Sequence, residues 1–238
     1  MDSLLARLVE LESNVSYRTA PEPGREEFSV FPGQIPVLLS APHGAAHYRN
    51  GKLKPEDEYT AGLAQLVAEE TAAYALFACR QSSTDPNYYC NTAYKRELQR
   101  LVEKNGIQFV LDLHGCSPDR AFGVGLGTMF ARSCPRQRPV IIDTLESHGF
   151  SIGKNGGLMH LDIDQTFPAA GSDGVETVTR FAAEKLHVSA AQLEINAHLC
   201  IVQRLPGATS KQPFEGKPEL ILRTIRALIA LVEVLSLS

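Results

Sequence analysis

Apolar and charged residues alternate at helical spacing through the opening segment MDSLLARLVELESN, which predicts a helix over residues 1–14, set as an appendage to the main domain. Residues 17–27 are rich in Pro, Gly and charge, and residues 28–40 are β-prone, ending in the apolar run Val37-Leu38-Leu39. The reading is an interior strand over 37–40 that stops at Ala41-Pro42-His43-Gly44. Next, Pro55 and the acids Glu56-Asp57-Glu58 read as the first turn of a helix over 57–73, with Leu63, Leu66, Val67 and Thr71 on its period. Asp85-Pro86-Asn87 marks a turn. A second amphipathic helix over 94–103 is closed by Asn105-Gly106, and the strand 107–113 comes at once after it. Beyond it the pattern predicts helices over 138–148 and 176–186, a Gly-rich loop over 154–158, a strand over 191–195 and a closing helix over 218–235. No internal repeat or low-complexity tract interrupts this order.

Composition narrows the classes available. The 238 residues are enough for one large α/β domain, since about 150 residues per domain is usual and no linker divides the chain. A hydrophobic fraction of 44% with 21% charged residues excludes a disordered or collagen-like chain. The net charge of −4, with no basic cluster, argues against a nucleic-acid partner. The longest apolar run, 227–234, falls short of the roughly 18 residues a membrane span needs, and the N-terminus lacks a signal-peptide core. Five cysteines (Cys79, Cys90, Cys116, Cys134 and Cys200) form an odd set without a CxxC pair, as expected of reduced thiols in a cytoplasmic enzyme.

Two strand ends carry histidines. His43 leaves the first interior strand, where open α/β sheets keep their binding crevices. Asp112 and His114, two apart on the next strand, point to one side of it. A metal-bound imidazole commonly hands its other N–H to a carboxylate, a part that suits Asp112. Hydrolytic zinc wants three nitrogen or oxygen ligands and one open position, so His43 and His114 leave one place for an acid among Glu56, Asp57 and Glu58. On the late strand, Gln192, Glu194 and Asn196 share a face, and Glu194 is placed to act as general base beside such an ion. Gly123-Val-Gly-Leu-Gly127 lacks the third glycine of a dinucleotide fingerprint and reads as a flexible strand or loop. His47 comes four residues after His43, on an apparent loop.

These residues resemble the N-formylglutamate amidohydrolase family, whose fold is shared by zinc carboxypeptidases and aspartoacylase-like deacylases. The likeness runs in order through Ser40-Ala-Pro-His43-Gly44, Glu56-Asp57-x-x-Thr60, Asp85-Pro-Asn87, Tyr94-Lys95, Val110-Leu-Asp112-Leu-His114-Gly115, Phe167-Pro-Ala169, Thr177-Val-Thr-Arg180 and Gln192-Leu-Glu194-Ile-Asn196. The resemblance implies a three-layer α/β/α sandwich around a mixed, mostly parallel sheet. It implies one divalent metal, preferably zinc, on His43, His114 and Asp57 (or Glu56), with Glu194 in catalysis. Lys95 and Arg180 match basic positions suited to a substrate carboxylate, Arg180 also to a developing oxyanion, and Asn87 matches a position that orients substrate or water. The expected activity is cleavage of an N-acyl, formylglutamate-like amide of a small acidic acyl-amino acid or short peptide. Its rivals are a carboxypeptidase-like peptidase or deacylase of larger substrates, and a non-catalytic module binding an acidic metabolite. Around 88–92 the chain departs from the family's Asp-x-Asn-Arg run, which bears on the substrate more than on the reaction class.

Overall fold

The computed structural model describes residues 2–153 and 156–237; the predicted Gly-rich loop over 154–158 begins on two residues outside that set. The elements in chain order are α1 (Ser3–Ser13), β1 (Phe28–Phe31), β2 (Val37–Ala41), β3 (His47–Arg49), β4 (Lys52–Lys54), α2 (Thr60–Thr71), β5 (Tyr74–Ala78) and α3 (Ala93–Asn105). They continue with β6 (Phe109–Cys116), β7 (Val124–Gly127), α4 (Arg138–Ser147), β8 (Leu161–Ile163), α5 (Val178–Glu184), β9 (Ser189–Asn196) and α6 (Pro218–Leu235).

Seven strands form one mixed sheet in the order β1-β5-β2-β6-β9-β7-β8, and β3-β4 is a separate hairpin. Four of its six pairings are parallel: β2 with β5, β2 with β6, β6 with β9, and β7 with β8. The edge strand β1 and the β7–β9 pair run antiparallel. Helices cover both faces, giving an α/β/α arrangement.

Alternation along the three central strands assigns the layers. Leu39, Leu111, Leu113, Leu193 and Ile195 face the larger core with α1, α2, α4 and α6. Leu38, Val110 and Ala190 face the smaller one with α3 and α5. Each buried Leu, Ile or Val among them, removed from water, contributes on the order of 1.5–3 kcal/mol. The α3/α5 face changes character along the strands. Apolar at Leu38, Val110 and Ala190, it becomes polar towards the carboxyl ends, where Ser40 sits in register with Asp112, Asp112 with Gln192, and His114 with Glu194.

Several expectations need correction. The N-terminal helix is no appendage: Leu5, Leu8 and Leu11 are buried, and Glu12 at its end accepts from the backbone N–H groups of Tyr59 and Gly62, each at 2.7 Å, where α2 begins. The helix expected over 57–73 starts only at Thr60, so Glu56, Asp57 and Glu58 lie on the loop before it. Tyr59 (φ 69°) redirects the chain there. Its far end stops at Ala72 in a left-handed turn (φ 60°), which frees 74–78 to be a strand. Of the strand or loop expected over Gly123–Gly127, the strand is found: Val124–Gly127 is β7, buried in the sheet. The helices expected over 138–148 and 176–186 are shorter by one and four residues, and Pro218–Leu235 is as predicted.

Candidate metal and hydrolytic site

His43 stands two residues beyond β2 in a tight turn. Gly44 is needed there, because a Cβ would lie 2.5 Å from the Ala78 carbonyl oxygen and 2.7 Å from the Ala61 side chain. The loop carrying Asp57 returns to this turn through a backbone hydrogen bond from Asp57 N–H to the His43 carbonyl at 2.8 Å. Gly115, just after His114, lets Asp57 come close, since a Cβ would meet the Asp57 Cβ at 3.2 Å.

These constraints bring three ligand atoms together. His43 Nδ1 and His114 Nδ1 are 3.1 Å apart, and Asp57 Oδ2 lies 3.4 Å from the first and 3.2 Å from the second. Both outer nitrogens face fully buried carboxylates: His43 Nε2 lies 2.9 Å from Asp85 Oδ1 and His114 Nε2 3.1 Å from Asp112 Oδ2. Assigning the Nε2 protons to those carboxylates turns two imidazole lone pairs and a carboxylate oxygen towards one point. Such a triad repels itself unless positive charge sits among its members. Its spacing suits a cation, because ligands at about 2.0–2.1 Å in tetrahedral array are about 3.3–3.4 Å apart. The donor set of two imidazoles and one carboxylate fits zinc.

Electrostatics agree with a pocket built for positive charge. Burial opposes protonation of His114, yet Asp112, Asp57 and Glu194 together lift its pKa well above the ordinary histidine range. His43 is likewise raised against burial, by Asp57 and Asp85. Burial alone would raise Asp57, but its hydrogen bonds with His114 and His43 hold it below the usual carboxylate range. Ser40 Oγ donates to the other oxygen of Asp112 at 2.9 Å, fixing that carboxylate under His114.

His43, His47 and Asp85 also cluster, with the two imidazole rings stacked 4.0 Å apart. This group does not suit a second cation. Asp85 Oδ2 already accepts from Arg49 Nε at 2.5 Å and lies 3.3 Å from His47 Nε2, so the charge of that carboxylate is already met by a guanidinium.

Glu194 lines the same cleft, beside His114 in the sheet register. Gln192 Nε2 donates to its Oε1 at 2.9 Å, and Gly125 on β7 leaves room for it, its added Cβ meeting the Glu194 Cβ at 3.2 Å. Burial pushes the Glu194 carboxyl up to about 7, with His114 pulling it down and Asp57 adding to the rise. A carboxyl that changes charge near neutrality is suited to take and return a proton.

The other predicted residues separate. Of the three acids, only Asp57 reaches the histidines. Glu56 accepts from Thr209 N–H and Oγ1, and Glu58 pairs with Arg204 at 2.9 Å. Asn87 lines the cleft; its Oδ1 accepts from Val178 N–H at 2.7 Å, and its Nδ2 has no protein acceptor among the described residues. Lys95 is corrected: it is 1% exposed, and its ammonium is spent on Glu176 Oε2 at 3.0 Å and the carbonyls of Glu176 and Tyr89. Arg180 is also placed differently, paired with Glu184 at 2.8 Å one turn along α5 and not among the side chains lining the cleft. Cys116 does line it, with burial raising its thiol to about 12, and all five cysteines are free.

Sequence reasoning missed the cations that the cleft does contain, Arg49 and Arg120. Arg49 ends β3, and the signal for that hairpin was legible in Asn50-Gly51 between two short strands. Both residues have positive φ (51° and 71°), as a two-residue hairpin turn of this kind requires. Asn196 has a role of its own: its Nδ2 approaches the carbonyls of Ser117, Pro118, Arg120 and Phe122 at 3.1–3.4 Å and so shapes the loop presenting Arg120.

No family model and no curated protein matches the chain. Solved structures do. A bacteriophage poly-γ-glutamate hydrolase shares 14% identity at a TM-score of 0.54, over 91% of this chain and 94% of its own. A protein assigned as a carboxypeptidase from Burkholderia mallei ATCC 23344 shares 12% at 0.53, over 98% and 67%. An N-formylglutamate amidohydrolase from Ralstonia eutropha JMP134 shares 14% at 0.49, over 88% and 97%. The first two establish that the chain has the fold of these hydrolases.

Proposed function

We propose that this protein is a metal-dependent hydrolase of amide bonds in small N-acylated substrates that carry a carboxylate. The observation behind this reading is the triangle of His43 Nδ1, His114 Nδ1 and Asp57 Oδ2, with edges of 3.1–3.4 Å, in a cleft it shares with Glu194. His43, His114 and Asp57 would hold a zinc ion through those three atoms, and the ion would supply Lewis acidity for hydrolysis of the amide. Asp85 and Asp112 hold the imidazoles in the ligating tautomer and orientation. Glu194 removes a proton from the attacking water and delivers it to the leaving nitrogen, the same carboxyl serving as base and then as acid. The Nδ2 of Asn87 offers a donor to the substrate.

The cleft, about 560 Å³, matches a small molecule. Since one structural neighbour is named for hydrolysis of poly-γ-glutamate, γ-glutamyl amides belong with N-formyl- and N-acetylamino acids among the compounds to test. The deciding experiment measures zinc content and hydrolysis of that panel for the wild type, His43→Ala and His114→Ala. Near-stoichiometric zinc and turnover, lost together in both variants, are expected. Metal-free protein that binds an acidic metabolite without turning it over would favour the binding module instead.

A further inference from the structure

The proposed reaction leaves open how the site recognises a carboxylate, because the Lys95 ammonium is taken by Glu176 and Arg180 does not line the cleft. Two guanidinium groups line the cleft, and they are held differently. Arg120 is exposed, lies over the Phe167 ring at 5.0 Å and makes no ion pair with any described residue. Arg49 is fixed twice: its Nε donates to the fully buried Asp85 carboxylate at 2.5 Å, and its guanidinium lies over the Tyr88 ring at 5.2 Å. One edge and one face of the plane are thereby set. Neither terminal nitrogen has a protein acceptor among the described residues, so the two that can grip a carboxylate side by side remain available.

The second anchor also sets a distance. Asp85 gives Oδ2 to Arg49 and Oδ1 to His43, so the fork and one candidate metal ligand are mounted on the two oxygens of a single buried carboxylate. Residue Arg49 comes from a hairpin whose Tyr48 N–H is tied to the Ser82 carbonyl at 3.1 Å, which fastens it to the Asp85 segment.

We propose that Arg49 is the specificity-determining residue of the cleft, binding a substrate carboxylate through its two terminal nitrogens at a fixed separation from the reacting amide. This rests on the hydrolase reading for the word substrate, but not for the recognition itself. The site thus selects compounds with a carboxylate spaced from the scissile bond over their neutral carboxamides.

The test compares binding of 3-mercaptopropionate and its neutral carboxamide, 3-mercaptopropanamide, to zinc-equilibrated protein by calorimetry; the thiol common to both takes the metal side of the cleft, so the two differ only at the group facing Arg49. A charge-assisted contact of this type gives a preference for the carboxylate of about ten- to a hundredfold. Arg49→Gln should bring the ratio close to one by weakening the carboxylate alone. Arg49→Lys, which keeps the charge without the fork, should retain only part of the preference, and Arg120→Gln should leave it unchanged. Zinc content and melting temperature of each variant guard against a merely structural effect, which would weaken both ligands equally. An undiminished ratio in Arg49→Gln and Arg49→Lys, equal loss of both ligands, a ratio that collapses in Arg120→Gln, or no preference in the wild type would each overturn the assignment. The readout is binding, so failure to hydrolyse any amide would sink the hydrolase reading while leaving this preference and its dependence on Arg49 standing.

Discussion

His43 and His114 meet Nδ1 to Nδ1 at 3.1 Å although 71 residues separate them, and each turns its Nε2 to a buried aspartate. The aspartates therefore decide which nitrogen faces the cleft. Replacing Asp112 with Asn keeps the shape but offers His114 an amide in place of a carboxylate. Zinc affinity or activity should fall about 10–100-fold. Competition with a chelator of known affinity measures this, and unchanged zinc retention would show that Asp112 does not support a metal ligand.

Glu194 has a distinct signature. Its carboxyl, raised by burial to about 7, must be ionised to accept a proton, so kcat/KM should climb as pH rises through about 7. Glu194→Gln should lower kcat by about 10²–10⁴ and abolish that rising limb while zinc content stays intact. A variant of near-normal activity, or one that loses its zinc, would remove Glu194 from the role of base.

Much of this arrangement was legible because its parts obey strong local rules. The apolar strands 37–40, 107–113 and 191–195 had to be interior, and their carboxyl ends had to carry His43, His114 and Glu194 to one rim. The rest depends on contacts that periodicity does not encode. Acids before a helix look alike in sequence; Asp57 is distinguished only because Tyr59 turns the chain at φ 69° and Gly115 allows its approach. Residues 74–78 abut a helix that ends at an alanine in left-handed conformation, so no glycine announces the break. Lys95, next to Tyr94 on α3, matches a position suited to a substrate carboxylate, but Glu176, 81 residues away in the chain, takes its ammonium.

That pairing gives a third expectation. Lys95→Met removes one partner of a buried ion pair and strands Glu176 and two carbonyl oxygens. Loss of one member of such a pair costs about 3–5 kcal/mol, so the melting temperature should fall markedly while KM of the protein that remains folded stays unchanged. A raised KM at unaltered melting temperature would return Lys95 to substrate binding.

Glu12 links stability to pH in a direction opposite to that of most acids. Its carboxylate accepts from Tyr17 Oη at 2.5 Å and from the Tyr59 and Gly62 N–H groups, tying α1 to the start of α2 and to the turn that carries Asp57. Burial nevertheless raises its pKa from 4.5 to about 7 in the folded chain. Between those values the folded form keeps a proton that the unfolded form has released, so stability falls as pH rises from about 4.5 to about 7 and levels off above. The full effect is roughly 3 kcal/mol, at about 1.4 kcal/mol per unit of pKa difference. Glu12→Gln cannot ionise, so its unfolding free energy relative to wild type should improve steadily across that interval, from a deficit at pH 4.5 caused by imperfect pairing with the two N–H donors. Urea denaturation at several pH values measures the difference, and a wild type and variant that run parallel from pH 4.5 to 7 would show that Glu12 remains ionised in the fold.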